Sequence, residues 1–320
     1  MVALQLTAEA GRLPDLPRLS GRIEKLGYDG LWIGEVNYAD AVVQASVAAG
    51  ASRALRIAPL FNVFTRSPTN AALAAAGLAH QAPGRIIVVL GASSPLLVQR
   101  WNGIPYERPF SRVRDYLEFL RAALSGERVQ GEFATFSSDG FSLADPPASP
   151  PQIFVAAAMP RSIQLAARKA DGVVLNWLTA DDVGRINELS ADRTRIWLSM
   201  MVCPSPDPAV VDRLLRPLVT DYLAAPAYAG LQRLVGRGPQ LAPMWELFAA
   251  GDRVGARRAL PQALLEELVI WGSPEECGRR LGEIEKQTGI HPIATLALPE
   301  GGDAQSALQA MAAPASRTSS

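Results

Sequence analysis

Residues 152–162 read Gln-Ile-Phe-Val-Ala-Ala-Ala-Met-Pro-Arg-Ser. A β-rich apolar run gives way to small residues and then to a proline that suits the first turn of a helix, where its missing N–H costs nothing. This strand-then-helix unit recurs along the chain. Short β-rich apolar runs alternate with longer Ala-, Leu- and Arg-rich segments of helical period, the pattern of parallel strands joined by covering helices. Eight runs carry the strand signal: Val2 to Leu6, Gly30 to Glu35, Arg56 to Phe61, Ile86 to Gly91, Gln152 to Ala157, Gly172 to Asn176, Arg195 to Val202 and Pro292 to Leu298. Between them, Leu16, Leu19, Ile23 and Leu26, and again Val113, Tyr116, Leu117 and Leu120, form apolar stripes at three- and four-residue spacing.

Eight such pairs in 320 residues predict a closed α/β fold, a (β/α)8 TIM barrel, since an open doubly wound sheet would use fewer strands or a second domain. The expected organisation is one barrel domain over residues 1–313 with insertions after strands 4 and 7, at about 129–151 and 204–260, and a flexible tail at 314–320. The first insertion, with Gly131, Gly140 and the aromatics Phe133, Phe136 and Phe141, reads as a hairpin followed by a loop. The second is helical in composition and broken by prolines such as Pro206, Pro217 and Pro243. Because it leaves the C-terminal end of a strand, it is expected to form a lid or pocket wall. Gln305 to Ala312 is helix-capable.

Lys plus Arg (31) equals Asp plus Glu (31). With the basic residues spread along the chain, there is no electrostatic footprint for nucleic acid or an anionic membrane, and a small, weakly charged partner is expected. The two cysteines, Cys203 and Cys277, lack the close spacing of zinc or thioredoxin-like sites and suit a reducing cytoplasm. The opening Val-Ala-Leu-Gln-Leu is too short and too alternating for a signal-peptide core, and no apolar stretch is long enough to span a bilayer.

Chemistry in such a barrel comes from the C-terminal ends of the strands. His80, closing the third helix, and His291, opening the eighth strand, fall at the opposite, structural face. Without an imidazole at the mouth, Ser-His-Asp hydrolysis and His-ligated metals lose their usual groups, and cofactor chemistry becomes the stronger class. Cys203 is at the right end but reads as a small buried side chain rather than a nucleophile.

The fifth turn is more telling. Amides from Ala157, Ala158 and Met159 at a helix start, with Arg161 beside them, make a place for a phosphate; the plainer reading is that the alanines only allow close helix packing. After the fourth strand, Ser93 and Ser94 follow Gly91-Ala92, where backbone can approach a flat ring. After the third, Asn62 and Thr65 either hydrogen-bond a cofactor or cap the turn. Asn176, ending the sixth run, is a further candidate cofactor contact, and Trp101, Trp177 and Trp245 either wall a substrate pocket or pack the core. Glu35, ending the second strand, is a candidate acid or base, or a plain surface or salt-bridged residue, and Tyr38 just beyond it is a candidate proton donor.

Taken together, Leu26-Gly27-Tyr28-Asp29-Gly30-Leu31-Trp32-Ile33-Gly34-Glu35, Thr65-Arg66-Ser67-Pro68, Gly84-Arg85-Ile86, Gly91-Ala92-Ser93-Ser94, Ala170-Asp171-Gly172-Val173-Val174 and Gly272-Ser273-Pro274-Glu275-Glu276 resemble the luciferase-like superfamily. Within it, the resemblance is to the coenzyme F420-dependent reductases and dehydrogenases related to methylene-tetrahydromethanopterin reductase. That resemblance implies an oxidoreductase barrel, often dimeric, with the cofactor ring over the barrel end. It implies contacts from Leu60, Asn62, Ser93 and Ser94 to the ring or its side chain, and from Ala157, Ala158 and Arg161 to the phosphate. It further implies a non-prolyl cis peptide near Pro59, Leu60 and Phe61.

Relatives that oxidise alcohols or sugar phosphates resemble one another in an Asp-His pair after the second strand and a Glu after the fourth. Here those places hold Glu35-Val36 and Ser94, so hydride delivery from reduced F420 to an activated C=C or C=N fits better. Arg66, Arg161 and Lys169 would suit the acidic F420 tail, and equally read as surface charge. The competing readings are an FMN-dependent monooxygenase on the same barrel and a catalytically silent ligand-binding barrel.

Overall fold

A computed structural model describes residues 2–5, 12–189 and 195–316. Its strands are β1 (Ala3–Gln5), β2 (Gly30–Ile33), β3 (Arg56–Asn62), β4 (Ile87–Gly91), β5 (Val129–Glu132), β6 (Ser137–Phe141), β7 (Gln152–Ala156), β8 (Gly172–Asn176), β9 (Ile196–Cys203), β10 (Val269–Trp271) and β11 (His291–Leu296). Hydrogen-bonded neighbours run β9-β11-β1-β2-β3-β4-β7-β8, and β8 pairs with β9 again, so that eight parallel strands close into a (β/α)8 barrel. Leu6, the last residue of the first predicted run, lies outside the described residues.

The helices are α1 (Leu16–Lys25), α2 (Ala41–Ala51), α3 (Pro68–Gln81), α4 (Pro109–Leu124), α5 (Pro160–Lys169), α6 (Ala180–Leu189), α7 (Pro208–Ala224), α8 (Pro226–Leu234), α9 (Gly238–Ala249), α10 (Arg253–Ala259), α11 (Gln262–Leu268), α12 (Pro274–Thr288) and α13 (Ala304–Ser316). Several begin with a cap followed by proline: Ser67 accepts the N–H of Asn70, Asp207 that of Ala209 and Ser273 that of Glu276. Each such cap is worth roughly 1 kcal/mol, and the proline after it fixes where the helix starts. Residues 317–320 of the expected tail lie outside the described residues, whereas α13 continues to Ser316.

The chain divides into two compact units. One comprises residues 4–157 and 161–174, with the run from β2 to β7 at its centre. There β2, β3 and β4 lie parallel in unbroken register, with Gly30 opposite Arg56 and Asn62 opposite Gly91. Gly30 needs its bare Cα, since a Cβ there would meet the Arg56 carbonyl at 2.8 Å. All peptide bonds among the described residues are trans, so the cis peptide implied near Leu60 is not present; β3 pairs with β2 as far as Pro59 and with β4 from Leu60 to Asn62. The first insertion is the predicted hairpin, β5 antiparallel to β6. Its aromatics fasten it to α4: Phe136 meets Tyr116 and Phe119 edge-on, and Phe141 stacks on Phe119 at 5.6 Å. Such ring pairs contribute about 0.5–1.5 kcal/mol each beyond their area.

The other unit comprises residues 1–3, 158–160 and 175–320. Val211, Leu215, Val219 and Leu223 form the buried stripe of α7 and pack with Leu241, Met244, Leu264, Leu265, Cys203 and Trp177. Burying each large aliphatic side chain is worth about 1.5–3 kcal/mol. The insertion's helices run on to Leu268 rather than ending near residue 260, and they lead into β10, which adds to β9 with Val269 opposite Met201. Three residues are too few to display an alternation, which is why β10 leaves no sequence signal. The π-helical turn Leu96–Trp101 is likewise absent from the sequence expectations.

Candidate functional site

At the end of β3 the chain turns on Asn62, which is only 1% exposed. Its Oδ1 accepts the N–H of Phe64 at 3.0 Å, and its carbonyl accepts that of Arg66 at 3.2 Å. These bonds fold the turn and leave the Nδ2 amide as the group the turn does not use. The N–H of Asn62 donates to Glu35 Oε2 at 3.0 Å, while Glu35 Oε1 pairs with the Arg66 guanidinium. Arg66 also pairs with Asp40, which caps α2 through the N–H groups of Val42 and Val43. Glu35 is thus a carboxylate with both oxygens engaged by donors. Tyr38 stands nearby, its hydroxyl 3.5 Å from the Gly34 carbonyl, and burial pushes its pKa up. Leu60 lines the approach to Gly91, and Thr65 is exposed beyond the turn.

At the end of β4, Ser93 adopts φ 59°, the left-handed region that a residue with a Cβ rarely enters. Tyr106 holds it there by donating its hydroxyl to the Ser93 carbonyl at 3.2 Å, and the Tyr106 ring stacks on Phe64 at 5.0 Å. Arg112 completes the brace, donating to the Val63 carbonyl at 2.6 Å and lying over the Phe64 ring. Ser94 begins the next turn, its carbonyl accepting from Val98 at 3.0 Å. The ends of β3 and β4 are therefore joined by one network. Backbone strain of this kind persists where the surroundings over-determine it, and it concentrates at ligand sites. Tyr106 and Arg112 are the supports that the sequence did not disclose, since both act across more than ten residues without a local pattern.

After β7, the Ala157 N–H is taken by the Val174 carbonyl at 3.0 Å, so the turn's remaining amide donors come from the residues after it. Arg161 lies at the start of α5, its guanidinium 4.4 Å over the Phe110 ring. Lys169 closes the same helix at its other end, paired with Glu118 at 2.5 Å, which removes it from the set of basic residues expected near the groove. Arg66 is likewise occupied by its two carboxylates.

Ala158, Met159 and Asn176 belong to the second unit. Met159 is exposed, with Sδ over Gly230, where a Cβ would come within 3.2 Å. Asn176 ends β8 and donates from Nδ2 to the Tyr228 hydroxyl at 2.9 Å. Trp177 and Trp245 both pack into the insertion core, Trp245 donating to the Leu223 carbonyl, while Trp101 is exposed at the end of the π-helical turn.

His80 and His291 sit at the N-terminal side of the strands, His80 against Asp145 and His291 stacked on Trp197. Cys203 is fully buried in the insertion core. Among the described residues, no group of three or more His, Cys, Asp or Glu is arranged to hold a metal ion, and no helix is long and apolar enough to cross a membrane.

A closed parallel barrel with a strained, braced rim over β3 and β4 is the scaffold of a barrel enzyme, whose chemistry lies at the C-terminal ends of the strands. The chain belongs to the luciferase-like monooxygenase family, whose model matches residues 2–291. It is 24% identical over 319 residues to 5,10-methylenetetrahydromethanopterin reductase of Archaeoglobus fulgidus, covering 89% of this chain and 90% of that one. It is also 24% identical over 294 residues to a putative coenzyme F420-dependent oxidoreductase of Mycobacterium tuberculosis, covering 81% and 84%. The fold superposes on the F420-dependent tetrahydromethanopterin reductase of Methanopyrus kandleri with a TM-score of 0.75 at 19% identity, over 97% of this chain and 96% of that one.

Proposed function

We propose that the chain is an F420-dependent oxidoreductase that delivers hydride from reduced F420 to an activated C=C or C=N of a small organic substrate. One observation carries the reading: the left-handed Ser93, braced by Tyr106 beside the buried Asn62, gives a rigid rim with small side chains and one uncommitted amide. The named activities of the reductase and oxidoreductase relatives support it.

The residues present suit a flat ring bearing an anionic side chain. Gly91, Ala92 and Ser93 leave room for a ring face, Asn62 Nδ2 and the Ser93 and Ser94 hydroxyls offer hydrogen bonds, and Arg161 would hold the phosphate. Leu60 would support the ring from β3, with Thr65 and Ala157 at the margins. Bound there, reduced F420 supplies a hydride equivalent. The protein's part is to orient the substrate, exclude water and furnish a proton.

Glu35, with both oxygens engaged, acts by fixing Asn62 and Arg66. Tyr38 is the proton donor: its hydroxyl stands by the carbonyl of Gly34, the residue before Glu35, and carries a proton at neutral pH, although burial, by raising its pKa, makes it a weaker acid. Replacing it in Tyr38→Phe is expected to lower kcat on the order of 10²–10⁴-fold with KM little changed. We assign the protein to the reducing cytoplasm and, on the family resemblance, to a homodimer; sedimentation velocity tests the latter.

The deciding measurement is titration of the purified protein with F420 and, separately, with FMN, followed by oxidation of reduced F420 against a panel of unsaturated acceptors. Saturable F420 binding with turnover is expected. Tight FMN binding without F420 binding would make the chain a flavin monooxygenase. Cofactor binding with no turnover would make it a silent barrel.

A further inference from the structure

Immediately after β8, Trp177 combines three properties that packing alone does not call for. It lies at φ 59°, in the left-handed region; its side chain is buried, with 7% of the residue exposed; and its indole N–H has no acceptor among the described residues. A bulky aromatic residue seldom adopts that backbone geometry unless neighbours impose it. A buried donor without a partner is one of the few such exceptions a native protein keeps, and each needs an explanation.

The imposition comes from α8. Gln232, fully buried, donates Nε2 to the Trp177 carbonyl at 2.7 Å, and Tyr228, one turn earlier on the same helix face, receives the Asn176 side chain at 2.9 Å. Gln232 is itself oriented by Arg237, which donates to Oε1 at 3.1 Å and pairs with Asp182 at 2.7 Å. Asp182 in turn accepts the N–H and hydroxyl of Thr179 at 2.8 and 2.9 Å, so the chain is gripped on both sides of Trp177. All of this polar order fixes the backbone and leaves the indole nitrogen unused.

The surroundings of the indole define what it would take. Tyr222 lies 4.8 Å away at 34°, and Tyr228 meets Tyr222 at 5.6 Å and 70°. Tyr222 is 40% exposed and connects this aromatic group to solvent. The one cation of this hydrogen-bond network, Arg237, is paired with Asp182 at 2.7 Å and faces Glu267 at 3.9 Å. Aromatic walls favour planar rings, the lack of an unpaired cation in this network disfavours phosphates and carboxylates, and the single donor asks for one acceptor atom.

We propose that Trp177 is a specificity-determining residue, positioned by Tyr228 and Gln232, whose indole N–H donates to the carbonyl oxygen or ring nitrogen of a flat, uncharged ring compound that enters past Tyr222. This names the substrate class of the oxidoreductase proposed above and rests on that reading for its role as substrate; the binding itself does not.

The test uses the full chain labelled with 15N at the tryptophan indoles, the Trp177 signal being assigned by its loss in Trp177→Phe. Coumarin and menadione serve as planar uncharged probes and glucose 6-phosphate as a charged, non-planar one. Saturable binding of a planar probe is expected to move the Trp177 indole proton downfield. Trp177→Phe, which keeps a ring but not the donor, is expected to weaken that binding roughly threefold to tenfold while remaining folded by thermal melting. Gln232→Ala is expected to weaken it as well, with the indole still present.

A planar probe that binds without moving this signal, binding unaffected by Trp177→Phe, an equal response to glucose 6-phosphate, or no binding by either planar probe overturns the proposal. F420 is titrated separately. Should F420 fail to bind while the indole signal responds to coumarin, the cofactor assignment falls and the specificity assignment stands.

Discussion

The Glu35 carboxylate accepts the Asn62 backbone N–H at 3.0 Å and at the same time pairs with Arg66, so a residue just past β2 fixes the turn that ends β3. The Glu35 side chain is 17% exposed and that of Arg66 15%, shielded enough for charge-assisted bonds to matter. Glu35→Gln keeps the shape and removes the charge, leaving Arg66 with Asp40 alone. The expected loss is roughly 1–3 kcal/mol, read as a melting temperature lowered by a few degrees, together with weaker F420 binding. A variant that melts like the parent would show that the pair contributes nothing.

Arg161 stands at the start of α5 with its guanidinium over Phe110 and its charge open to an anion. Arg161→Ala should weaken F420 binding about tenfold, consistent with one charge-assisted contact, and should flatten its dependence on salt. Arg161→Lys should restore only part, because the ring stacking suits a planar guanidinium better. Fluorescence titration at two ionic strengths measures both effects. An unchanged affinity in Arg161→Ala would remove the phosphate from this turn.

The architecture was legible because each run of the barrel is long enough to show its own periodicity: all eight strands fall where the apolar runs predict, and the Phe-rich segment at 129–141 is the hairpin its glycines suggest. What the sequence concealed depends on contacts between distant residues. Glu35 reads equally well as an acid, a base or an ion-pair member until Arg66 and Asn62 are placed beside it. The left-handed geometry of Ser93 and Trp177 has no glycine to announce it, since it is imposed by Tyr106 in one case and Gln232 in the other. Lys169 reads as available in the sequence because its partner, Glu118, lies 51 residues away on α4.

Away from the rim, Glu24 closes the loop before β3 by accepting the N–H groups of Arg53, Ala54 and Leu55 at 2.8, 2.5 and 3.2 Å. The Ala54 bond is the main reason its pKa falls below the usual glutamate value; burial works against it, and the other two amides and Arg85 add to the lowering. A carboxylate whose pKa is depressed on folding contributes stability above its unfolded pKa of about 4.3, and that contribution disappears as pH falls through the lower folded value. Acid melts should therefore show a loss of stability below about pH 4.3 that is smaller in Glu24→Gln, a variant already less stable at neutral pH. Parallel melting curves for the two proteins from pH 7 to pH 3 would exclude Glu24 as a source of the acid sensitivity.

Cys277 and Cys203 are both fully buried, and the Cys277 Sγ lies 3.8 Å from the Cys203 and Gly272 carbonyls. Burial, chiefly, pushes the Cys277 thiol up to about 12, with Arg280 opposing the shift and Cys203 and Glu276 adding to it; burial also raises the Cys203 pKa. Only the thiolate attacks a disulfide reagent, so at pH 8 on the order of one Cys277 in 10⁴ would be reactive even if it were accessible. Neither thiol in the folded protein should react with Ellman's reagent over minutes, and both should react at once in guanidinium chloride. Raising the pH to 9.5 should accelerate the native reaction only as far as the protein opens, because both folded thiols remain covered and Cys277 remains protonated. Rapid labelling of one thiol in the native state at pH 8 would mean that the end of β9 is open to solvent, and would return Cys203 to the set of residues able to meet a substrate.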